Sequence, residues 1–557
     1  MNARSLGAHL PLPLRGGWET LRGWRPQVTI EALAFGASAF FVLCCNLKFW
    51  HAALPLGLAQ WKLAISLFLL LVGVNGFLLG LVLGRRWARP LLSALFVVTA
   101  CAVHYMDAYG VYLDPDMLRN VLNTDWGEAH ELFTPALFRT LFLCAVLPIA
   151  VLWRIKLVRR SKPQAMLVRG GFLLLMWLLI ALGAALSMKD LFAMARNQRE
   201  LRYLVTPENY VFSLAKVLHA QPPGARKDLL PIAEDATQAP RAAGAKPRLL
   251  VLVVGETARA QNWGLNGYAR QTTPELAGMN DVINFPDMQS CGTATEVSVP
   301  CMFSPWGRHD YNEKRIRAHQ SFLHVLQRVG VEVSWRDNQS GCKGVCDGLP
   351  FVSLTNEKDP RFCSGERCLD EILLQGLTDG LPADGKDRIV VLHMLGNHGP
   401  SYFDRYPPQF KHFVPACENP ELGQCTNGEI VNAYDNALLY TDHVLAETID
   451  KLRGVGAYDT ALFFMSDHGE SLGENGIYLH GMPYAIAPPQ QTHVPMILWF
   501  SPQFARDAKL DVSCVRRETA QPASHDNLFP SVLGLFDVRT KVYDKSRDLL
   551  AACRGSV

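Results

Sequence analysis

The apolar positions divide the chain of 557 residues into two parts. Nearly all long apolar runs lie in the first 190 residues, whereas the rest alternates strand-like and helix-like segments separated by Gly, Pro and Asn. Five runs have the character of membrane helices: residues 34–45, 63–84, 91–106, 141–153 and 170–188. The second and fifth are long enough alone, and the others need their flanks to reach the roughly 20 residues that cross a bilayer. The pattern predicts a five-helix membrane domain followed by a globular domain.

Basic residues orient these helices. They cluster before the first run, after the second, and between the fourth and fifth: Arg4, Arg15, Arg22, Arg25; Arg85, Arg86, Arg89; Arg154, Lys156, Arg159, Arg160, Lys162, Arg169. The segment 51–60 has no Lys or Arg, and 111–135 has only Arg119 among five acidic residues. By the positive-inside rule the N-terminus is cytoplasmic, and five crossings place the globular part outside the cytoplasm. The first run lacks a small-residue cleavage site and is interpreted as a retained anchor.

Composition and cysteine positions agree with export. A hydrophobic share of 49% is high for a wholly soluble protein, and ten of the 14 cysteines follow residue 290. Eight of these ten are near neighbours: Cys291 and Cys301, Cys342 and Cys346, Cys363 and Cys368, Cys417 and Cys425. We expect disulfides in an oxidising compartment, because no CxxC repeat or spaced Cys/His partner supports a zinc knuckle at the second pair. Whether Cys514 pairs with Cys553 stays open at this point.

Four segments are expected from these patterns. Residues 1–27 form a cytoplasmic segment, 28–190 the transmembrane domain, 191–246 interfacial helices and a Pro/Ala-rich linker, and 247–557 the catalytic domain. An ordinary bridging helix packed on the globular domain is an equal alternative for the start of the third segment.

Three apolar runs in the globular part share one design. RLLVLVVGET ends on Glu256, DRIVVLHMLGNHGP on Asn397 and His398, and TALFFMSDHGES on Asp467 and His468. Such runs predict buried parallel strands of an α/β sheet, and ligands bind beyond the carboxyl ends of these strands. A single polar strand end could merely cap the following helix, but three of them favour one functional site.

The side chains at this edge suit a metal. Glu256, Asp467 and His468 offer the oxygen and nitrogen ligands that Zn²⁺ accepts. The first exported cysteine pair encloses the stretch CGTATEVSVPC, with the hydroxyls of Thr293 and Thr295. A threonine hydroxyl is a weak nucleophile unless it is activated, and a metal near a stapled loop would activate it. The residues alone do not decide between the two threonines.

Several motifs together resemble a known family. GETARAQNWGLNGYARQTTPEL, SCGTATEVSVPCMFS, RDNQSGCKGVCDGLP, HMLGNHGP, YDNALLYTDHVL and SDHGESLGENGIYLHG resemble the bacterial phosphoethanolamine transferases that modify lipid A, including the mobile colistin resistance enzymes. SDHGE is shared with sulfatases and lipoteichoic acid synthases, whereas GETAR, CGTxT and KGVCD together are highly specific. The resemblance covers essentially the whole chain. It implies five transmembrane helices followed by an α/β periplasmic domain of alkaline phosphatase and sulfatase type.

The resemblance also implies a metal centre and a nucleophile. Glu256, Asp467 and His468 match zinc ligands, and Thr295 matches the nucleophile and fourth ligand. Thr293 is then a structural member of the stapled loop. One zinc is expected to bind tightly, and the participation of a second zinc during turnover stays open.

Four further residues match positions around the family's site. His398 and His480 match histidines that hold phosphate, protonate a leaving oxygen or bind a second zinc; Lys343 matches a lysine near the substrate phosphate, and Glu470 an acidic residue near the metal. Without the resemblance, His480 would be interpreted as a loop histidine and Lys343 as a solvated turn residue. His393 has only apolar neighbours and is expected to be a hydrogen-bonded core histidine.

The implied reaction has two steps and two lipid substrates. The nucleophile takes phosphoethanolamine from phosphatidylethanolamine, and a lipid A phosphate then displaces it, which lowers surface negative charge and implies polymyxin and colistin resistance. The enzyme would be a multi-pass protein of the Gram-negative inner membrane with a periplasmic catalytic domain. We expect the outer loop 104–128 to pack under the catalytic domain and to frame the donor lipid. No motif supports nucleic-acid binding, the net charge of +3 is uninformative, and the oligomeric state is open.

Three other functions are compatible with parts of the pattern. Another acceptor, such as a lipopolysaccharide core sugar or a surface protein, would use the same chemistry. A sulfatase or phosphodiesterase would use water instead, but the nucleophile loop has no CxPxR-type motif. A membrane-anchored sensor without activity would be expected to lack one of the four metal or nucleophile residues, and all four are present.

Overall fold

The computed structural model describes residues 25–55, 57–124, 126–220, 229–242, 244–355, 357–364 and 367–555. Two compact units share the chain. The first comprises the residues up to Asp107 together with Pro135–Phe212, and the second comprises Ala108–Thr134 together with the chain from Ser213 onwards. The predicted N-terminal segment up to residue 24 and linker residues 221–228 lie outside the described residues.

The first unit is helical. Its helices are Ile30–Cys44, Leu47–Ala53, Trp61–Val82, Ala88–Tyr109, Pro135–Leu141, Leu147–Arg154, Lys162–Leu186 and Met188–Asn197, and Glu208–Ala220 begins in it. A π-helical turn, Phe142–Val146, joins the fifth and sixth helices into one span. Among the described residues, four spans are long and apolar enough to cross a membrane, and the bent pair of the first two helices, at 60°, makes a fifth when the pair is counted as one span. Each of the five predicted apolar runs overlaps one of these spans, and the runs 63–84 and 170–188 extend two residues beyond their helices.

Glycines allow two of the spans to pack closely. A Cβ at Gly73 of the span Trp61–Val82 would lie 2.7 Å from Ile180, and one at Gly183 would lie 2.7 Å from the carbonyl oxygen of Ser66. Small residues are the usual means by which membrane helices bring their backbones together, because lipid provides no hydrophobic drive between them.

The second unit contains one eight-stranded sheet. Its strands, in chain order, are β1 Arg248–Gly255, β2 Ile283–Gln289, β3 Glu332–Asp337, β4 Phe351–Ser353, β5 Arg388–His393, β6 Asp459–Ser466, β7 His493–Phe500 and β8 Ala523–Ser524. Their spatial order is β8-β2-β7-β6-β1-β5-β3-β4, and only β7 runs opposite to the others. The three apolar runs singled out in the sequence are the adjacent parallel strands β5, β1 and β6, so the predicted α/β fold is confirmed.

Helices surround this sheet. They are α1 Pro115–Asn123, α2 Trp126–Glu131, α3 Pro274–Ala277, α4 Thr295–Met302, α5 Glu313–Ala318, α6 Phe322–Arg328, α7 Asn427–Arg453, α8 Pro489–Thr492, α9 Pro502–Asp507, α10 Val512–Glu518 and α11 Leu528–Leu535. Every residue of β1 and β6 is buried. Strands buried on both faces form continuous apolar runs rather than alternating patterns, which is why they stood out in the sequence.

Short antiparallel strand pairs and disulfides fix the connecting loops. The pairs are Thr237–Gln238 with Val538–Arg539, Cys363–Ser364 with Arg367–Cys368, and Ser471–Leu472 with Tyr478–Leu479. All four predicted near-neighbour disulfides are present, and Cys514 is joined to Cys553, which the sequence left open.

Candidate active site

The site lies where the three central strands end. Because β5, β1 and β6 are parallel and in register, with Val254 opposite His393 and Gly255 opposite Ser466, the residues after each strand meet at one edge of the sheet. Glu256 follows β1, and Asp467 and His468 follow β6. All three of these side chains are fully buried.

The four predicted metal and nucleophile side chains converge. His468 Nε2 lies 3.2 Å from Glu256 Oε1 and 3.4 Å from Asp467 Oδ2. Thr295 Oγ1 donates a hydrogen bond to Glu256 Oε2 at 2.8 Å and lies 3.3 Å from His468 Nε2. The structure therefore brings two carboxylates, one imidazole and one hydroxyl to a single point.

These buried groups fit a cation. Within the described residues, Glu256 Oε1 and Asp467 Oδ2 have no hydrogen-bond partner. Burial raises the pKa of Glu256, and burial together with the Glu256 charge raises the pKa of Asp467 to about 7. Glu256, His468 and His480 each offer one ligand atom, and these atoms lie within 4.8 Å of one another. Adjacent buried carboxylates are costly unless a positive charge accompanies them, and this oxygen and nitrogen donor set suits Zn²⁺.

The stapled loop separates the roles of its two threonines. The hydroxyl of Thr293 donates to the carbonyl of Met482 at 2.6 Å, and Gly481 N–H donates to the Thr293 carbonyl at 2.7 Å. Thr293 thus anchors the loop. Thr295 is the first residue of α4, where the positive end of the helix dipole favours a negatively charged oxygen.

His525 aligns this loop with β6, and the sequence analysis missed it. Its Nδ1 accepts a hydrogen bond from Cys291 N–H at 3.0 Å, and its Nε2 lies 2.9 Å from the Ser466 carbonyl oxygen, to which it donates. Burial lowers the pKa of His525 to about 4, so the ring is neutral and both nitrogens are satisfied. The segment ASHDN contains no local signal for this role, because both partners are distant in sequence.

Two more histidines lie beside the convergent group. The His480 ring centroid is 4.4 Å from that of His468 and 5.4 Å from that of His398. His480 Nδ1 lies 2.8 Å from Glu470 Oε2, and the other oxygen of Glu470 accepts from the Tyr402 hydroxyl at 2.7 Å. Burial lowers the pKa of both histidines. For His480 the charge and hydrogen bond of Glu470, together with the charges of Glu256 and Asp467, outweigh burial and raise the pKa to about 9, whereas the pKa of His398 stays well below its ordinary value.

Lys343 lies on the turn closed by the second disulfide, with a φ of 52°. Its ammonium donates to the carbonyl and the hydroxyl of Ser340 at 3.1 and 2.5 Å, and its charge is among those that lower the pKa of Glu256 against the larger effect of burial. Gln339, which the sequence analysis did not single out, donates to Glu256 Oε2 at 3.2 Å. His393 is fully buried with Nδ1 2.8 Å from Asp337, as expected of a core histidine.

Helix α1 is linked to helix α4, which begins at Thr295, by a chain of ion pairs. Arg119, almost fully buried, pairs with Asp116 at 3.2 Å and with Glu313. Arg317 contacts Glu313 at 3.1 Å and Glu296, the second residue of α4, at 2.9 Å. Residues 108–134 therefore group with the second unit and contact helix α4.

Two family models match the chain. Residues 248–538 match the sulfatase model, and residues 70–221 match the model described as phosphoethanolamine transferase EptA/EptB. These ranges correspond to the sheet-containing part of the second unit and to most of the membrane spans.

Individual relatives match over nearly the whole chain. Phosphoethanolamine transferase EptA of Escherichia coli (strain K12) is 39% identical over 547 residues, covering 95% of this chain and 98% of the relative. Phosphatidylethanolamine transferase Mcr-1 of Escherichia coli is 36% identical over 545 residues, with the same coverage.

A solved full-length structure is similar as well. The integral membrane lipooligosaccharide phosphoethanolamine transferase A (EptA) from Neisseria meningitidis has a TM-score of 0.89 and 35% identity, covering 95% of this chain and 100% of that one. Its separately solved soluble domain is 44% identical with a TM-score of 0.58, covering 60% of this chain and 100% of that one. The chain therefore belongs to the phosphoethanolamine transferase family, as a multi-pass membrane enzyme with a periplasmic catalytic domain of sulfatase type.

Proposed function

We propose that this enzyme transfers phosphoethanolamine from phosphatidylethanolamine to phosphate groups of lipid A through a phosphothreonine intermediate at Thr295. The observation that carries the proposal is the hydroxyl of Thr295, held 2.8 Å from Glu256 and 3.3 Å from His468 at the end of the sheet. The names of two relatives support the substrates, since one is a phosphatidylethanolamine transferase and another acts on lipooligosaccharide.

A zinc ion would be held by Glu256, Asp467, His468 and Thr295, whose orphaned oxygens and converging ligand atoms fit it. Bound there, zinc supplies Lewis acidity, which favours the ionised hydroxyl and counters negative charge on phosphoryl oxygens. His480 also has a ligand atom within reach of Glu256 and His468. Whether a second zinc binds during turnover is a separate question, which metal counting on the active enzyme answers.

In the first step, Thr295 Oγ1 attacks the donor phosphorus and the bond to the diacylglycerol oxygen breaks. The stapled loop and α4 hold this oxygen in one position, which lowers the entropy cost of the attack. Lys343 balances negative charge on the phosphoryl group. The Thr295 hydroxyl loses its proton as it attacks and the departing diacylglycerol oxygen takes up one proton; His398 and His480, whose rings are 5.4 Å apart, are placed to relay a proton between the two oxygens.

In the second step, an oxygen of a lipid A phosphate attacks the same phosphorus. The bond to Thr295 Oγ1 breaks, the attacking phosphate hydroxyl gives up its proton, and the same histidines pass a proton to the threonine oxygen. Glu470 holds His480 by a hydrogen bond of 2.8 Å and is itself held by Tyr402, so its role is to orient the imidazole.

Residues of the outer loop support a role in holding the donor. Glu131 of α2 binds Arg405 at 2.5 Å and Arg367 at 3.2 Å, and Arg405 Nε donates to the His398 carbonyl at 2.7 Å. The loop is thereby connected to the backbone of a site histidine. Scrambling residues 111–131, which include Glu131, is expected to abolish transfer, and unchanged turnover of phosphatidylethanolamine in that variant would contradict this part of the proposal.

The intermediate provides the direct test. Purified full-length enzyme in nanodiscs is incubated with phosphatidylethanolamine alone and digested for mass spectrometry. We expect a phosphoethanolamine group on the peptide containing Thr295, none in Thr295→Ala, and an unchanged adduct in Thr293→Ser, which keeps the anchoring hydroxyl. A modified Thr293, or diacylglycerol release without any modified peptide, would contradict the mechanism; the latter result would favour hydrolysis by water.

A further inference from the structure

Arg308 is held in a fixed orientation beside the nucleophile loop. Its guanidinium carbon lies 3.7 Å from the ring centroid of Tyr484 and 5.0 Å from that of Tyr311. Two aromatic contacts restrict the planar group while leaving its edge available for hydrogen bonds.

The backbone that carries Arg308 is equally constrained. Asp526 accepts hydrogen bonds from the N–H groups of Arg308 and His309 and lies 2.9 Å from a ring nitrogen of His309. Gly307 has a φ of 53°, and a Cβ there would collide with Asp526. The Asp526 carboxylate therefore binds the backbone of this loop and fixes its conformation without a ligand.

The charge of Arg308 is not compensated by an ion pair. Among the residues that the structure describes, no carboxylate oxygen lies within 4.0 Å of its guanidinium, and its hydrogen-bond acceptor is the Cys291 carbonyl oxygen at 3.4 Å. Nearby Arg315, by contrast, is paired with Asp310 at 2.7 Å. The half-buried Arg308 therefore offers most of its donors to a ligand.

Arg308 lies near the reacting group but does not contact it. Its acceptor Cys291 begins the stapled loop that contains Thr295, and Tyr484 O–H donates to the Ser290 carbonyl at 2.9 Å. Thr295 lies four positions after Cys291, a distance of at most about 14 Å along an extended chain. An anion bound at Arg308 would be a second anionic group, distinct from the one at the nucleophile.

The two substrates of the proposed function differ in the number of phosphate groups that they carry. Phosphatidylethanolamine has one phosphate, which must reach Thr295, and its remaining charge is an ammonium that a guanidinium repels. Lipid A carries phosphates at more than one place, so one remains while another reacts. We propose that Arg308 binds a non-reacting phosphate monoester of the acceptor lipid and so positions the acceptor; this inference rests on the proposed function.

The test uses full-length enzyme in nanodiscs with two acceptors, lipid A with two phosphates and lipid A with one. Arg308→Gln removes the charge, Arg308→Lys keeps it without the planar fork, and Lys314→Gln removes an exposed charge six residues away as the matched control. We expect Arg308→Gln to raise the KM for the two-phosphate acceptor at least about tenfold, because charge-assisted phosphate contacts are lost. Arg308→Lys should restore part of this loss. The KM for phosphatidylethanolamine, and the KM for the one-phosphate acceptor, should equal those of the wild type.

Three results would overturn the inference. The first is an unchanged acceptor KM in Arg308→Gln, and the second is an equal rise for both acceptors or for the donor. The third is inhibition by inorganic phosphate that depends on Arg308 while the lipid KM does not, which would make the ligand a free phosphate. If the wild type transfers nothing to lipid A, the proposed acceptor is wrong; binding of both lipids to Thr295→Ala with and without Arg308→Gln then decides the role of Arg308 by itself.

Discussion

The two backbone hydrogen bonds of His525 lead to a specific prediction about the opening of the loop between Cys291 and Cys301. Its two hydrogen bonds, from Cys291 N–H at 3.0 Å and to the Ser466 carbonyl at 2.9 Å, connect the nucleophile loop to the strand that precedes Asp467. Replacing His525 by Phe fills the buried space but leaves both backbone groups without a partner. Each buried unsatisfied group costs about 1–3 kcal/mol, so we expect the loop to open more easily by about 2–6 kcal/mol.

Hydrogen exchange measures this local opening. Mass spectrometry of the peptide that contains Cys291 should show faster amide exchange in His525→Phe, since the protecting partner is gone. His525→Asn keeps an acceptor near the Nδ1 position and should retain part of the protection. A displacement of about 1 Å can lower the rate on the order of a hundredfold. We therefore expect kcat to fall most in His525→Phe and less in His525→Asn.

The exposed His412 provides the control, as His412→Asn changes an equivalent side chain whose hydrogen bond is to the nearby Gln409 carbonyl. Exchange and kcat of that variant should match the wild type. The reasoning is refuted if His525→Phe exchanges at the wild-type rate, or if Asn and Phe at this position are indistinguishable in both measurements.

Three further predictions concern metal, coupling and pH. Removing metal with a chelator should abolish transfer, and Zn²⁺ should restore activity where Mg²⁺ does not, because Mg²⁺ prefers an octahedral set of oxygens; recovery with both ions would argue against zinc. Arg119→Met leaves Asp116 without this ion pair and Glu313 paired with Arg317 alone, so the catalytic unit should lose about 1–3 kcal/mol in denaturant unfolding, and a loss below about 0.5 kcal/mol would exclude a structural coupling. Glu371, 3.8 Å from His443 Nε2, and Glu275, 2.9 Å from His443 Nδ1, raise the pKa of His443 to about 9, so the contribution of this histidine to stability should be complete below about pH 6 and disappear above about pH 9. The melting-temperature difference between wild type and His443→Asn should shrink across that range, and a constant difference would contradict the assignment.

Local sequence signals were sufficient for the fold and for most of the site. Strands β1, β5 and β6 are apolar runs with polar ends, and parallel pairing then brings Glu256, Asp467 and His468 together. The membrane spans and the near-neighbour disulfides are likewise local features. The resemblance to the family was needed to choose Thr295, and the anchoring bonds of Thr293 give the physical reason for that choice.

The features that sequence reasoning missed depend on contacts between distant residues. His525 lies 234 residues from Cys291 and 59 from Ser466, and the pairing of Cys514 with Cys553 spans 39 residues. The predicted domain boundaries include residues 108–134 in the membrane domain, whereas the structure groups them with the catalytic unit; the expectation that the outer loop 104–128 packs on the catalytic domain agrees with this grouping and with the ion pairs of these residues. Hydrophobic periodicity and short motifs do not indicate contacts between residues that are distant in sequence.

Mass spectrometry of lipid A from a susceptible Gram-negative host tests the proposed transfer of phosphoethanolamine to lipid A through Thr295. Three strains are compared, expressing the wild type, Thr295→Ala and Thr293→Ser at equal protein levels. We expect a phosphoethanolamine adduct on lipid A in the wild-type and Thr293→Ser strains and none in the Thr295→Ala strain. Polymyxin resistance should occur in the strains that carry the adduct. An adduct that persists in Thr295→Ala would contradict the role of Thr295 as nucleophile. Absence of the adduct from the strain with folded, zinc-loaded wild-type protein would contradict lipid A as the acceptor.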